Sequence, residues 1–109
     1  MIALAHTAAL LLDHKTGTVR PVEYDGELST LRELLGVEFV DADMLDANTI
    51  IFYDDEGSFI QYKIGFEITY QKIKIKIAGS ALITGDDCGQ NAPIFIRPGD
   101  LTIQVVRYD

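Results

Sequence analysis

The 109-residue sequence lacks most features that mark an exported or membrane-spanning protein. Its one cysteine, Cys88, cannot form a disulfide within the chain. No apolar run approaches the ~18 residues that cross a membrane as a helix. Residues 1–6 lack the basic residues that open a signal peptide. These absences predict a cytoplasmic protein with no membrane contact.

Motifs of common enzymes are missing as well. There is no glycine loop followed by Lys-Ser/Thr, no His-Glu-x-x-His and no nucleophile elbow. His6 and His14 lie near the start of the chain and Cys88 lies far from both, so a metal site would need the fold to gather them. Asp87 precedes Cys88 and opposes its ionisation to a thiolate. We therefore expect no enzyme, no metal and no cofactor.

Basic residues are scarce: nine Lys and Arg stand against 17 Asp and Glu, giving a formal net charge of -8. This balance argues against direct nucleic-acid binding, because the phosphate backbone would be repelled. Two interpretations remain open. The charge maintains solubility, or it faces a basic protein surface.

Acidic residues gather in two stretches of the chain. They invite a calcium-binding interpretation but lack the Asp-x-Asp-x-Asp-Gly order with a distal Glu of an EF-hand. Solvated turns are the competing explanation. The residues are Asp41, Asp43, Asp46, Asp54, Asp55 and Glu56.

The most informative stretch is 73–85. Ile73, Ile75 and Ile77 alternate with lysines, which predicts a strand with one apolar and one cationic face. Gly79 then predicts a bend or bulge before a buried continuation at 81–83.

The remaining pattern predicts mostly strands. A hairpin is expected over 8–12 and 18–24, with Pro21 restricting its second strand to an edge or a bulge. Leucines at helical spacing predict a helix over 28–35 that ends at Gly36. The other expected elements are a strand at 37–40, an acidic connection at 41–48, a hairpin at 49–53 and 58–62, an ambiguous strand at 64–70, a loop at 85–92, a brief pairing at 94–96 and a strand at 101–106.

With 48% hydrophobic residues, the chain has enough apolar material for one core. We expect a single domain over 1–109 of the α+β class, a mostly antiparallel twisted sheet with one short helix packed on one face. The predicted core is Leu10, Leu12, Val22, Leu31, Leu34, Leu35, Ile51, Ile73, Ile75, Ile77, Leu82, Ile83, Ile103 and Val105.

Four short blocks of the sequence carry a resemblance to a known family. They are Ala9-Leu10-Leu11-Leu12-Asp13 with Lys15-Thr16-Gly17-Thr18-Val19, Val22 to Gly26 running into Leu31 to Gly36, Ile51 to Gly57, and Ile77 to Gly85. Over residues 8–88 the chain resembles an uncharacterised family of small phage, plasmid and prophage proteins, the domain of unknown function 3846. The resemblance implies a mobile genetic element as the source, and it implies no catalytic residues.

The lysines that alternate with Ile73, Ile75 and Ile77 are the best candidate contact residues. On a strand Lys72, Lys74 and Lys76 repeat every ~6.5–7 Å, a spacing that suits a phosphate-bearing ligand or an acidic strip of protein. Arg97 can join them. The alternative is that they protect an exposed sheet edge against pairing with other chains.

These observations predict a small non-enzymatic binding or inhibitory protein of a phage or other mobile element. It would act on a host protein or sequester an anionic small molecule. The alternatives are a structural homo-oligomeric assembly protein and an enzyme of unknown class. Short strands in a small chain leave sheet edges to be covered, so we also expect a homodimer.

Overall fold

Two antiparallel sheets and one helix make up the described part of the chain. The computed structural model describes residues 7–56, 62–94 and 100–108. The elements, in chain order, are β1 (Thr7–Asp13), β2 (Thr18–Tyr24), α1 (Leu28–Leu35), β3 (Val40–Asp46), β4 (Thr49–Asp54), β5 (Ile64–Tyr70), β6 (Ile73–Ala78), β7 (Ala81–Asp87), β8 (Gln90–Ala92) and β9 (Leu101–Arg107). The α+β class with a mostly antiparallel arrangement is confirmed.

The first sheet is built around β7. Its strand order is β2-β1-β7-β4-β3, and β8 also pairs with β7. In register, Ile83 of β7 lies between Leu10 of β1 and Ile51 of β4. Residues 81–85 of β7 are all buried. As Pro21 predicts, β2 lies at an edge of this sheet.

Strand alternation divides the apolar side chains of the first sheet between its two faces. One face contributes to a buried cluster that also holds Phe66, Ile68, Tyr70 and Ile77 of the second sheet. The opposite face contributes to a second cluster, which includes Leu31 and Leu35 of α1. The members from the first sheet are Leu12, Leu45, Ile51, Ala81 and Ile83 in the first cluster, and Ala9, Leu11, Tyr24 and Leu82 in the second.

The second sheet has the order β6-β5-β9. The chain passes from this sheet to the first through Gly79 and Ser80, which separate β6 from β7. Gly79 has φ 86, and a Cβ there would lie 2.9 Å from the ring of Tyr62. A glycine is therefore required at the crossing, both for its backbone conformation and for space. The predicted half-exposed strand, bend and buried continuation are confirmed, but the two halves belong to different sheets.

Helix α1 has the bounds that its leucines predict. Gly36 adopts the left-handed conformation with φ 68 and donates its N–H to the carbonyl of Arg32 at 2.8 Å. The N-cap position is Glu27, whose side chain makes no capping hydrogen bond. Asp25 instead accepts hydrogen bonds from the Glu27 N–H and the Thr30 hydroxyl.

Several element predictions are wrong. The acidic stretch 41–48 is not a connection, because most of it is β3, where Asp41 and Asp43 are exposed on an edge strand. Of the predicted strand 37–40, only Val40 belongs to β3. The predicted loop 85–92 instead contains the end of β7 and the short strand β8. The stretch 64–70, for which the sequence pattern was ambiguous, forms strand β5. Residues 58–61 and 95–96, for which strands were predicted, lie outside the described residues.

The predicted core is partly correct. Leu12, Leu31, Leu35, Ile51, Ile77, Leu82 and Ile83 are buried, whereas Leu10, Val22, Leu34, Ile75 and Ile103 are half-buried. Ile73 and Val105 were wrongly placed in the core, since they are 44% and 36% exposed. The reason is that β6 and β9 are the outer strands of the small second sheet, so their apolar side chains are covered on fewer sides.

Replacing Leu31 by Ala should lower the free energy of unfolding by about 2–5 kcal/mol, because a fully buried leucine leaves a cavity. Leu34→Ala, at a half-buried position of the same helix, should cost less. Urea denaturation measures both. Equal losses for the two variants would contradict this packing of α1.

Cys88 offers a stability test at the β7–β8 turn. Cys88 (φ 51) and Gly89 (φ 85) both have left-handed backbone conformations, as a two-residue type I′ hairpin requires. Cysteine adopts this conformation at a cost that asparagine largely avoids. Cys88→Asn should raise the free energy of unfolding by about 0.5 kcal/mol or more, measured by urea denaturation. A lower stability than that of the unchanged protein would show that the turn conformation is wrong.

Candidate functional site

The structure describes three of the four predicted contact residues. Lys74 and Lys76 lie on β6 and point away from the face that carries Ile75 and Ile77. Lys72 lies in the turn that precedes β6, at the end of the strand rather than on it. Arg97 lies outside the described residues. Two lysines therefore share a strand face, and the third adjoins it.

Lys74 and Lys76 belong to the polar face of the second sheet. We call this face the outer sheet face; by strand register its polar residues are Glu67, Thr69, Lys74, Lys76, Thr102 and Gln104. All six residues are exposed or half-buried, and none belongs to either buried cluster. In the first sheet, by contrast, each face contributes side chains to one of the two buried clusters.

Glu67 partly neutralises the two lysines. Lys74 Nζ lies 3.4 Å from Glu67 Oε1, and Lys76 stands directly opposite Glu67 in the β5–β6 register. Because the Lys74 side chain is 62% exposed, this ion pair stabilises the fold by less than about 1 kcal/mol. The polar residues of the outer sheet face include two lysines and one carboxylate, so the formal charge of this face is positive.

A groove at one end of the two sheets has the opposite charge. It has a volume of about 520 Å³ and is lined by Asp46, Asp86, Asp87 and Asp100, with Tyr70 among its other residues. Burial of Asp46 favours its neutral form, but hydrogen bonds from Tyr70 at 2.5 Å and from the Asn48 N–H outweigh this effect and lower the pKa. The groove therefore carries negative charge at neutral pH.

A second groove lies between β3, β4 and β6. Its volume is about 280 Å³, and it is lined by Asp43, Asp54 and Asp55, with Lys76 as the basic residue at its rim. The Tyr53 hydroxyl donates a hydrogen bond to Asp43 at 2.7 Å, and burial together with this carboxylate raises the pKa of Tyr53. Within the described ranges, no group of three or more His, Cys, Asp or Glu side chains is placed to hold a metal ion.

A polar contact that the sequence did not suggest joins the first hairpin to the sheet crossing. Ser80 Oγ accepts the backbone N–H of His14 at 3.0 Å and lies 2.6 Å from His14 Nδ1. The Tyr62 ring meets the His14 ring edge-on, with centroids 4.9 Å apart. Tyr62 in turn donates its hydroxyl to Asp54 at 2.5 Å. Burial and the Asp54 carboxylate raise the pKa of Tyr62 to about 12, so this hydrogen bond persists at physiological pH.

A serine beside a histidine is also the pairing used by hydrolases. Here Ser80 is only 5% exposed, and its hydroxyl oxygen already accepts a backbone N–H. A nucleophile must reach its substrate, which this buried hydroxyl does not. The pair therefore joins two segments of the chain. Sequence reasoning missed it because the two residues are distant along the chain.

The comparisons with known proteins add no relative. No protein-family model, curated protein or solved structure matches the chain. The family resemblance of residues 8–88 therefore stays a prediction. In the part of the chain that the structure describes, no helix has the length and apolar character needed to span a membrane.

The partial burial of His14 predicts how the stability of the fold depends on pH. Burial lowers the pKa of His14 below its ordinary 6.5, an effect that the charge of Lys15 reinforces and that of Asp13 opposes. The unfolded chain therefore binds this proton at a higher pH than the folded chain does. The associated stability is fully present above the unfolded pKa of 6.5 and is lost as the pH falls through the lower folded value.

We expect the urea midpoint of the unchanged protein to decrease as the pH is lowered from about 7.5 to about 5.5. The midpoint of His14→Gln should decrease less over the same range. The pKa values of Asp13 and Asp46 are lowered from 3.8, so these two groups change the stability mainly below that pH, outside this window. Parallel pH profiles for the two proteins would contradict the assignment to His14.

Proposed function

We propose that this protein is a small, non-enzymatic, cytoplasmic binding protein whose outer sheet face binds an acidic surface of a partner protein. The observation that carries the proposal is the position of Lys74 and Lys76 on an exposed sheet face in a chain of net charge -8. We further propose that α1 covers one face of the first sheet, which leaves the outer sheet face as the open side. The resemblance of residues 8–88 supports a phage or other mobile element as the source and a host protein as the partner.

The shapes of the surfaces favour a protein over an anionic small molecule. Small-molecule sites are concave and bury most of their ligand. Each of the two grooves described above has at least three carboxylates in its lining, and these repel an anion. The lysines instead lie on the face of a three-stranded sheet, where a broad acidic protein surface can contact both of them and Lys72 beside them.

The charge distribution also affects how such a partner binds. At long range the net charge of -8 repels an acidic protein, so association is not steered. Within the screening length of about 8 Å at physiological salt, the lysines dominate the local field. A partner carboxylate can then replace Glu67 beside Lys74. Binding should therefore be slow and selective.

The position of β6 also supports the alternative explanation for the lysines. It is an edge strand of the second sheet, where lysines prevent pairing with other chains. The test must therefore separate binding from edge protection. A structural homo-oligomeric role is a second candidate. It is favoured by β9, one edge of which pairs with no described strand.

The test compares two triple variants with the same change in net charge. Lys72→Gln/Lys74→Gln/Lys76→Gln removes the cationic group, and Lys15→Gln/Arg32→Gln/Lys63→Gln removes three exposed charges elsewhere. Each variant and the unchanged protein are used to capture proteins from a bacterial lysate, and the captured proteins are quantified by mass spectrometry.

We expect an acidic protein to be captured by the unchanged protein and by the control, and to be lost from the Lys72/Lys74/Lys76 variant. Its binding, remeasured with the purified pair, should weaken as salt is raised. If the lysine variant retains every captured protein and only aggregates more readily, the lysines protect the edge and the binding proposal is wrong.

A further inference from the structure

The described edge strands other than β9 carry features that block pairing with another chain. In the first sheet, β2 contains Pro21, and β3 carries Asp41 and Asp43 together with a register shift after Met44. In the second sheet, β6 carries Lys74 and its neighbouring lysines. The short strand β8 has only three residues. Charges, prolines, bulges and short length are the known devices that protect an edge.

Strand β9 has only one of these features, the charged Arg107 at its end. Residues 101–106 carry no charge and no proline, and four of the six are Leu, Ile or Val. The strand pairs with β5 over seven consecutive residues without a register shift. Among the described strands it pairs with β5 alone. Strand β9 therefore presents a regular, mostly apolar edge that pairs with no other described strand.

Two hydrogen bonds show which backbone groups face this edge. Tyr108 donates its N–H to the carbonyl of Lys63 at 2.8 Å, and the carbonyl of Asp100 accepts the N–H of Gln71 at 3.0 Å. Both pairs continue the β5–β9 register, so residues 100 and 108 bond toward β5. Bonded and non-bonded pairs alternate in an antiparallel ladder. The N–H and C=O groups that point away from β5 are therefore those of Leu101, Ile103, Val105 and Arg107.

We propose that β9 pairs with β9 of a second copy of this chain, antiparallel about a two-fold axis at Gln104. In this register Ile103 stands opposite Val105 and Leu101 opposite Arg107, so every outward-facing backbone group meets another. Each of these pairs can exchange two hydrogen bonds. The two three-stranded sheets then form one continuous sheet across the dimer.

The side chains of β9 complement one another about this axis. On the inner face, Val105, which is 36% exposed, is covered by Ile103 of the second copy. On the outer face, Gln104 meets its own copy, and Thr102 meets Val106. Like charges do not face each other, because Arg107 stands opposite Leu101. Such self-complementarity is what a closed two-fold dimer requires and what an unrelated peptide need not have.

This interface does not rest on the proposed binding function, because it uses the strand edge and not the lysines. Its test uses the full chain and sedimentation equilibrium over a range of concentrations. We expect the unchanged protein to have twice the 12.1 kDa mass of one chain, with dissociation on dilution.

Two variants target the interface without removing the β5–β9 ladder. Val105→Pro removes an N–H that points away from β5, so we expect the dissociation constant to rise at least about tenfold. Gln104→Lys places a lysine opposite Glu67 within the chain but opposite another lysine across the axis. It should keep the fold and raise the dissociation constant several-fold. The control Gln90→Lys makes the same change on exposed β8 and should leave the constant unchanged.

Amide hydrogen exchange gives an independent measurement. The amides of Leu101, Ile103, Val105 and Arg107 should exchange more slowly as protein concentration rises, whereas those of Thr102, Gln104 and Val106 should be protected at every concentration.

A 12.1 kDa mass at all concentrations overturns the proposal. A dimer whose dissociation constant is unchanged by Gln104→Lys also overturns the proposal. If circular dichroism shows that Val105→Pro does not fold, Gln104→Lys alone decides the test. Protection of the four outward amides in a monomer means that something other than a second copy covers the edge, which also overturns it.

Discussion

The burial of β7 is the constraint on which the rest of the structure depends. This strand lies between β1 and β4, so it joins two hairpins that otherwise share no strand pairing in the described part of the chain. Its side chains enter both buried clusters, and its first residue follows the crossing from the second sheet. A polar side chain at Leu82 or Ile83 would therefore face an apolar environment whichever way it pointed. Burial of both faces also explains why this stretch does not alternate between apolar and polar residues.

The two sheets differ in how much of their surface remains available. Both faces of the first sheet contribute side chains to the buried clusters, whereas the second sheet contributes only from the face that carries Phe66 and Ile68. The second sheet therefore keeps a short polar face that contributes to neither cluster. Its edge strands differ as well: β6 is charged and β9 is apolar. One small sheet thus offers two chemically distinct surfaces.

Strands and the helix were predictable where the pattern repeats over several residues. The leucines of α1 and the alternating isoleucines of β6 each fix a face, because the side-chain period reveals the element. Long-range partners were not predictable. Nothing along the sequence indicates that β6 and β7 belong to different sheets, that Asp41 and Asp43 lie on a strand, or that Ser80 meets His14. The candidate contact residues were predicted as a strip of three, yet Lys72 lies in a turn because the strand begins at Ile73.

The late position of β7 in the sequence has a consequence for synthesis. β1 to β4 leave the ribosome before β7 is made, since chains emerge from the N-terminus. Until then Leu11, Ile51 and Phe52 lack the strand that packs between them. The growing chain therefore passes through a stage in which two apolar half-sheets are exposed, and other nascent chains can bind them. Slowing translation before residue 81 would prolong that stage and increase the demand for chaperones.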